Sequence, residues 1–190
     1  MTKVLLLPGL YDSGPDHWQS HWERVLPNAV RLVQRDWETP AREDWVAALE
    51  HMVAEQGSDS VLVGHSTACA LIAFWAAQTS RTVRGALIVA PSDTEAPSYP
   101  KGPTGWTPMP RNRLPFPSIV VASTNDEYAT IQRARSFADS WGSTFVDIGR
   151  AGHINSASGL GDWPRGRELL AELVGATATR SPARPANSLR

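Results

Sequence analysis

Short apolar runs recur along the chain and predict a series of buried strands. Polar or turn-forming residues separate each run from the next. Because the runs are continuous rather than alternating, they are typical of strands covered on both faces. The predicted strands are Val4–Leu7, Ala29–Val33, Ser60–Val63, Gly85–Val89, Ser118–Ala122 and Thr144–Ile148.

Between these strands, apolar residues recur every three or four positions, a spacing that predicts helices. The predicted helices cover residues 16–26, 45–53, 66–77, 128–141 and 164–174. Strands that alternate with helices form a parallel sheet, because parallel strands need crossover connections and these cover both faces of the sheet. The pattern therefore predicts an α/β fold, a three-layer sandwich around a six-stranded parallel sheet.

Length and composition restrict this picture further. The chain has 190 residues, of which 42% are hydrophobic, and this favours one domain, predicted here as residues 1–175. Residues 176–190 lack aromatic side chains and apolar periodicity, which predicts a disordered tail. A formal net charge of -1 argues against nucleic acid as a partner.

The sequence also predicts a compartment. No apolar run approaches the roughly 18 to 20 residues that cross a bilayer, and the N-terminus does not have the pattern of a signal peptide. The single cysteine, Cys69, cannot form an internal disulfide, which fits a reducing environment. We therefore expect a cytoplasmic protein without a membrane segment.

One predicted connection is rich in proline. Eight of the 15 prolines lie between Pro91 and Pro117, after the fourth strand. Prolines exclude a central strand or a helix interior, so this segment is predicted to be a loop. It is either a plain surface loop or, because ligands of α/β sheets bind beyond the carboxyl ends of strands, a wall of the functional site.

The third predicted strand runs directly into a candidate nucleophile. The pentapeptide Gly64–Ala68 lies between this strand and a helix, where a G-x-S-x-G turn would hold a serine hydroxyl above the sheet. Ala68 replaces the second glycine, and a small side chain there still lets the helix approach the strand. On the pentapeptide alone, Ser66 is equally well explained as an ordinary helix N-cap.

Later strands supply the partners that a serine nucleophile needs. Asp126 follows the fifth strand and His153 follows the sixth, so all three side chains are expected at one edge of the sheet. A serine, a carboxylate and a histidine in this chain order predict nucleophile, orienting acid and general base. Glu127 stays an alternative to Asp126, and His65 is expected beside the turn rather than as the base.

The backbone N–H groups of Leu10 and Thr67 are the predicted oxyanion donors. Thr67 follows the nucleophile at a helix N-terminus, and Leu10 lies in a turn with glycines at both ends after the first strand. That turn lacks the lysine of a phosphate-binding P-loop, so a nucleotide site is a weak alternative. Tyr11, His17, Trp18, His65 and Trp106 are candidate pocket walls, although tryptophans at helical spacing more often pack in the core.

Four segments also resemble a known family. They are PGLYDSGPDHWQSHWE, VLVGHSTACALIAFWAA, LPFPSIVVASTNDEY and GHINSASGLGDWPRG. They resemble the small α/β-hydrolase-type serine hydrolases, the family that includes the retinoblastoma-binding serine hydrolase, and the likeness extends from about Lys3 to Leu173. It implies a triad of Ser66, Asp126 and His153, carboxylester hydrolysis, and a motif that contains Asn155 and Trp163, of which Asn155 is a further candidate for the pocket. The pair Thr67-Ala68 departs from the Leu-Gly of many relatives.

Together these observations predict a reduced α/β-hydrolase fold without a cap domain and with strand order 2-1-3-4-5-6. The predicted function is a serine hydrolase that cleaves a small carboxylic ester, with no metal or cofactor. A small-molecule ester is the expected partner, and no protein partner is encoded. Two alternatives stay open: a catalytically weak binding or scaffolding protein on the same fold, and acyl transfer to an acceptor other than water.

Overall fold

The computed structural model describes residues 1–178, in which six strands alternate with five α-helices. The strands are β1 (Lys3–Leu7), β2 (Ala29–Arg31), β3 (Ser60–His65), β4 (Gly85–Val89), β5 (Ser118–Ala122) and β6 (Thr144–Asp147). The helices are α1 (Trp18–Val25), α2 (Arg42–Gln56), α3 (Thr67–Ala76), α4 (Ile131–Trp141) and α5 (Pro164–Ala178), with a short 3-10 turn at Ser156–Ser158.

All neighbouring strands are parallel, in the order β2-β1-β3-β4-β5-β6. The predicted fold class and strand order are therefore confirmed. Because β3 lies between β1 and β4, the residues that follow it reach the middle of the sheet edge. The order also reverses there, between β1 and β3, and such a switch point is where open α/β sheets leave a crevice for ligands.

Successive side chains of each strand serve two different cores. Leu5 and Leu7 face a core built with α2, α3 and α4, whereas Val4 and Leu6 face a core built with α1 and α5. This division is the three-layer sandwich that the sequence predicts. Each of these leucines is fully buried, a state that stabilises the fold by about 1.5–3 kcal/mol per side chain.

The two edge strands differ from the prediction. The sequence predicts Ala29–Val33 and Thr144–Ile148 as strands buried on both faces, but β2 ends at Arg31 and β6 is only partly buried. Val33 is 74% exposed. An edge strand has a neighbour on one side only, so a short apolar run is not sufficient evidence for full burial.

The boundaries of two helices also move. Helix α4 begins at Ile131 rather than near Tyr128, because the hydroxyl of Thr130 accepts the N–H of Arg133 and caps the first turn. Helix α5 reaches Ala178, three residues beyond the predicted end of the domain. The rest of the predicted tail lies outside the described residues.

The proline-rich connection between β4 and β5 is tied to the body of the protein. Within the described chain it contains turns and bends but no helix, so no separate cap domain covers the sheet there. The indole N–H of Trp106 donates to Pro40 O at 3.1 Å, and Thr104 forms a bridge with Ala41. Met109 and Phe116 are buried in the core with α2, α3 and α4. The loop is therefore held by core packing and is not a plain surface loop.

Candidate active site

Ser66 occupies a sharp turn between β3 and α3. Its backbone has φ 59° and ψ -125°, a left-handed region that is costly for any residue other than glycine. The turn is tight because a Cβ on Gly64 would lie 2.7 Å from the Ile72 side chain. Ala68 is fully buried at the second glycine position of the pattern, so its methyl group is accommodated. The result is a serine hydroxyl held above the sheet edge, in the manner of a nucleophile elbow.

A chain of hydrogen bonds links Ser66 to a histidine and a carboxylate. His153 Nε2 lies 2.9 Å from Ser66 Oγ, and His153 Nδ1 lies 2.9 Å from each carboxylate oxygen of Asp126. The side chains of His153 and Asp126 are 6% and 4% exposed. Glu127 is in an exposed position. The structure therefore brings Asp126, and not the alternative Glu127, to the histidine.

The carboxylate determines which nitrogen of His153 carries the proton. An ionised carboxylate only accepts hydrogen bonds, so Nδ1 must be the protonated nitrogen of the neutral ring. Nε2 is then an acceptor, and the hydroxyl of Ser66 donates its single proton to it. This is the protonation state in which a histidine acts as a general base toward a serine.

Two polar residues that the sequence reasoning missed join the loops after β5 and β6. Asn125 Oδ1 accepts hydrogen bonds from Ser123 Oγ and from the N–H of Gly152, both at 3.0 Å. Ser123 Oγ in turn accepts the N–H of Ala151 at 2.9 Å. These bonds fix the segment that carries His153 relative to the segment that carries Asp126. The polar residues 123–125, which directly follow β5, were the sequence signal that could have identified this contact.

The turn after β1 lies directly against Ser66. A Cβ on Gly9 would lie 2.7 Å from Ser66 Cβ and 3.0 Å from His65 O, so only glycine fits. Next to it, the N–H of Leu10 donates to no other group of the described chain, and neither does the N–H of Thr67. Thr67 also begins α3, where the helix dipole favours negative charge. Two unpaired donors beside a serine have the character of an oxyanion hole.

A cavity of about 360 Å³ opens above Ser66. Its walls include all the predicted site residues except three: Asp126, behind His153, and the tryptophans Trp18 and Trp106. Ser92, Tyr99, Pro100 and Tyr128 also line it, although the sequence reasoning did not single them out. Tyr99 and Pro100 come from the proline-rich loop, so this loop does form a wall of the site. Asn155 has a second role, because its side chain accepts the N–H of Ala157 and caps the 3-10 turn.

Trp18 and Trp106 were candidates for the pocket walls, with packing in the core as the more common role of such tryptophans, and the structure places both in the core. Trp18 is 1% exposed and packs edge-on against Trp22 and Trp163. Trp106 is 2% exposed and packs against Trp45 and Phe74. Their indole N–H groups have backbone partners elsewhere in the fold, a requirement of burial that residue spacing does not reveal.

Three histidine rings follow one another along the wall of the cavity. The His17 ring lies 4.6 Å from the His65 ring, which lies 4.9 Å from the His153 ring. His65 Nε2 donates to the backbone carbonyl of His153 at 2.9 Å, and His17 Nδ1 accepts the N–H of Gln19 at the start of α1. Burial, followed by the nearby positive charge of Arg31, lowers the pKa of His17 to about 3. Burial holds the pKa of His65 well below 6.5, so both rings are neutral at physiological pH.

The remaining electrostatics of the site are simple. The cavity walls contain no lysine or arginine in the described part of the chain, and Asp12 at the rim is paired with Arg31 at 2.8 Å. Residues 1–178 contain no group of three or more metal-ligating side chains placed to hold an ion. In the same residues, no helix has both the length and the apolar character of a membrane span.

The fold, the elbow and the histidine-carboxylate pair define the class of α/β-hydrolase-like enzymes. Residues 4–172 match the serine hydrolase family, and the chain belongs to this family. It is therefore a serine hydrolase. No curated protein is significantly similar to the chain.

Solved structures agree with this assignment. A YdeN-like hydrolase from Pectobacterium atrosepticum is 32% identical, with 92% of this chain and 91% of that chain covered and a TM-score of 0.82. The ydeN gene product of B. subtilis is 18% identical, with 92% and 100% covered and a TM-score of 0.73. The esterase domain of a Rhodothermus marinus protein is 15% identical, with 92% and 87% covered and a TM-score of 0.66. The last two, at such low identity, show the fold alone.

Proposed function

We propose that the protein is a carboxylesterase that hydrolyses small esters through an acyl-enzyme on Ser66. The observation that carries the proposal is the continuous chain from Asp126 through His153 to Ser66, with 2.9 Å between each pair of atoms. It lies beside the two unpaired N–H groups of Leu10 and Thr67. A structural serine at a helix start needs neither of these features.

In the acylation step, Ser66 Oγ attacks the ester carbonyl carbon while its proton passes to His153 Nε2. The carbonyl oxygen becomes an oxyanion and accepts hydrogen bonds from the N–H groups of Leu10 and Thr67. Asp126 stabilises the imidazolium and keeps the ring in its productive tautomer. The bond to the leaving alkoxide then breaks, and His153 returns the proton to the departing alcohol.

In the deacylation step, water takes the place of the alcohol. His153 removes a proton from the water, which attacks the acyl carbon, and the bond between that carbon and Ser66 Oγ breaks. Ser66 recovers its proton from His153, and a carboxylic acid leaves. Each oxyanion donor of this kind is worth about 10²–10³ in kcat.

The cavity supports a small substrate. A volume of about 360 Å³ lies at the lower end of the range for small-molecule sites and suits a short-chain acyl group with a small alcohol. Tyr11 and Tyr128 line the cavity and are 64% and 38% exposed, so the cavity is open to solvent on their side. Solvent therefore reaches the acyl-enzyme, and this access favours hydrolysis over transfer to another acceptor. A single cysteine that is buried is compatible with the expected cytoplasmic location.

The test combines a mechanism-based probe with turnover of p-nitrophenyl butyrate. Wild type should be labelled by a fluorophosphonate and should hydrolyse the ester, whereas Ser66→Ala should do neither. Asp126→Asn should lower kcat by about 10³–10⁴, and the neighbouring Glu127→Gln should stay within about twofold of wild type. If Ser66→Ala is labelled and turns over the ester as wild type does, the esterase proposal fails. The alternative, a binding protein on the same fold, would then be favoured.

A further inference from the structure

Besides His153 Nε2, Ser66 Oγ has a second hydrogen-bond partner, a hydroxyl group that is not part of the triad. Ser92 Oγ lies 2.9 Å from Ser66 Oγ, in the wall of the same cavity. Ser92 is 3% exposed, and Ser66 is the partner of its hydroxyl within residues 1–178. A buried hydroxyl placed against a nucleophile changes the environment of the reacting atom itself.

The direction of this hydrogen bond follows from the triad. The single proton of the Ser66 hydroxyl points to His153 Nε2, because Asp126 holds the proton of the neutral ring on Nδ1. Ser66 Oγ has therefore no proton left to donate to Ser92. The hydroxyl of Ser92 must be the donor, and a lone pair of Ser66 Oγ accepts it.

The backbone around Ser92 is built to hold it there. Ala90 has φ 49°, a left-handed conformation that costs about 1–3 kcal/mol for a residue with a side chain, and Pro91 fixes the next φ angle. After Ser92, the N–H of Asp93 donates to Tyr128 O at 3.1 Å, and its carboxylate accepts two hydrogen bonds from Arg133. A strained residue on one side and an ion pair on the other thus fix the hydroxyl over the nucleophile.

We propose that Ser92 is a further catalytic residue, a hydrogen-bond donor that stabilises negative charge on Ser66 Oγ. The inference rests on the proposed function. During acylation the Ser66 proton moves to His153 Nε2 and Oγ gains charge before its new bond to the acyl carbon is complete. During deacylation the same bond breaks, and the charge returns to Oγ before His153 protonates it. The hydrogen bond from Ser92 is charge-assisted in both transition states and weaker in the resting enzyme, so it accelerates both acylation and deacylation.

The test measures the two steps separately in Ser92→Ala. The first readout is the rate of phosphonylation by a fluorophosphonate, in which Oγ bonds to phosphorus, fluoride leaves and the proton passes to His153. The second is burst kinetics with p-nitrophenyl butyrate, which separates acylation from deacylation. Loss of a hydrogen bond to a charged atom predicts rates about 10- to 100-fold lower in both assays, with KM within about threefold.

Ser118→Ala is the matched control. Ser118 and Ser143 form another pair of hydroxyls, with 2.6 Å between their oxygens, at the opposite end of β5 from the active site. This variant also removes one buried serine hydroxyl, and it should keep the rates of wild type. Thermal unfolding of both variants shows whether they are folded. Should Ser92→Ala not fold, Ser92→Cys replaces it, because a thiol is a weak donor and the same losses are expected.

Two results overturn the proposal. One is a Ser92→Ala enzyme that is phosphonylated and turned over within threefold of wild type. The other is a loss that lies entirely in KM, which would make Ser92 a substrate-binding residue. Neither result affects the proposed function, which fails only if the wild-type reaction does not depend on Ser66.

Discussion

The indole N–H of Trp18 donates a hydrogen bond of 2.8 Å to the carbonyl oxygen of Ile154, the residue that follows His153. The two residues are 136 positions apart in the chain. One turn further along α1, the indole of Trp22 donates to Asp162 O at 3.0 Å. Helix α1 therefore holds the loop that carries the general base of the proposed mechanism, and Trp18 acts on the site from the core.

Replacing Trp18 by phenylalanine removes this hydrogen bond and keeps an aromatic ring. We expect the free energy of unfolding to fall by about 1–3 kcal/mol, because the Ile154 carbonyl loses its partner in a buried place. We also expect kcat to fall by about tenfold, because a small displacement of His153 weakens proton transfer. Urea unfolding and ester turnover measure the two effects.

Trp141→Phe is the control for this prediction. Trp141 is also 1% exposed, and its indole N–H also donates to a backbone carbonyl, that of Pro110 at 2.9 Å. That bond lies away from the triad, so Trp141→Phe should lose similar stability and keep its kcat. Equal kcat values in the two variants would show that the Trp18 bond does not position His153.

The contact between Gly9 and Ser66 gives a second prediction. In Gly9→Ala the added Cβ would lie 2.7 Å from Ser66 Cβ, and the turn must move away from the nucleophile. The N–H of Leu10 then leaves the place where we propose that it acts as an oxyanion donor, and kcat should fall by about 10²–10³. Gly175→Ala, at an exposed helical position where a Cβ meets nothing within 4 Å, should leave kcat unchanged. Normal turnover by Gly9→Ala would contradict the assignment of Leu10.

The fold and the positions of the triad side chains follow from local signals. Ser66, Asp126 and His153 each follow a short apolar run that the sequence predicts as a strand, and parallel strands end at the same sheet edge. The preference for Asp126 over Glu127 also used local information, because Asp126 is the first acidic residue after the fifth strand. Such residues can be identified without knowledge of which segments meet in space.

The features that the sequence did not reveal depend on contacts between distant segments. Trp18 was a candidate for the pocket because it follows the turn after β1, but its indole N–H needs a backbone acceptor, and no local pattern indicates that Ile154 provides one. Ser92 and Tyr99 lie in the proline-rich connection between β4 and β5, which has no helical or strand periodicity. No pattern therefore indicates which of its side chains face the cavity. The partial burial of β6 likewise depends on its place at the edge of the sheet.

The charge distribution of the cavity predicts selectivity among esters. The described walls contain no lysine or arginine, and the guanidinium of Arg31 beside the rim is paired with Asp12 and Glu23. An anionic substrate would lose hydration without gaining a cationic partner. We expect kcat/KM for monomethyl succinate to be at least about tenfold lower than for the neutral dimethyl succinate of similar length, a difference of about 1.4 kcal/mol. Alkali uptake at constant pH measures both rates, and equal values would require an unpaired cation in the site.

The buried histidines make the stability of the protein depend on pH. The pKa of His17 is lowered to about 3 in the folded protein, chiefly by burial, whereas in the unfolded chain it is near 6.5. Well above pH 6.5 the proton is bound in neither state, and the folded protein incurs no penalty. As pH falls from 6.5 toward 3, the unfolded state binds more protons, so the free energy of unfolding decreases. At pH 5 the loss from His17 is about 2 kcal/mol, and His65 adds to it in the same direction.

Urea unfolding at pH 7.5, 6 and 5 measures this dependence. His17→Asn keeps a side chain that caps α1 but does not titrate, so its stability should fall less steeply with decreasing pH than that of wild type. His51→Asn is the control, because the His51 side chain is 76% exposed. Its replacement should leave the pH dependence of the free energy of unfolding unchanged. If His17→Asn and wild type lose stability in parallel between pH 7.5 and 5, His17 binds its proton as readily in the folded protein as in the unfolded chain. The conclusion that burial keeps His17 neutral would then be wrong.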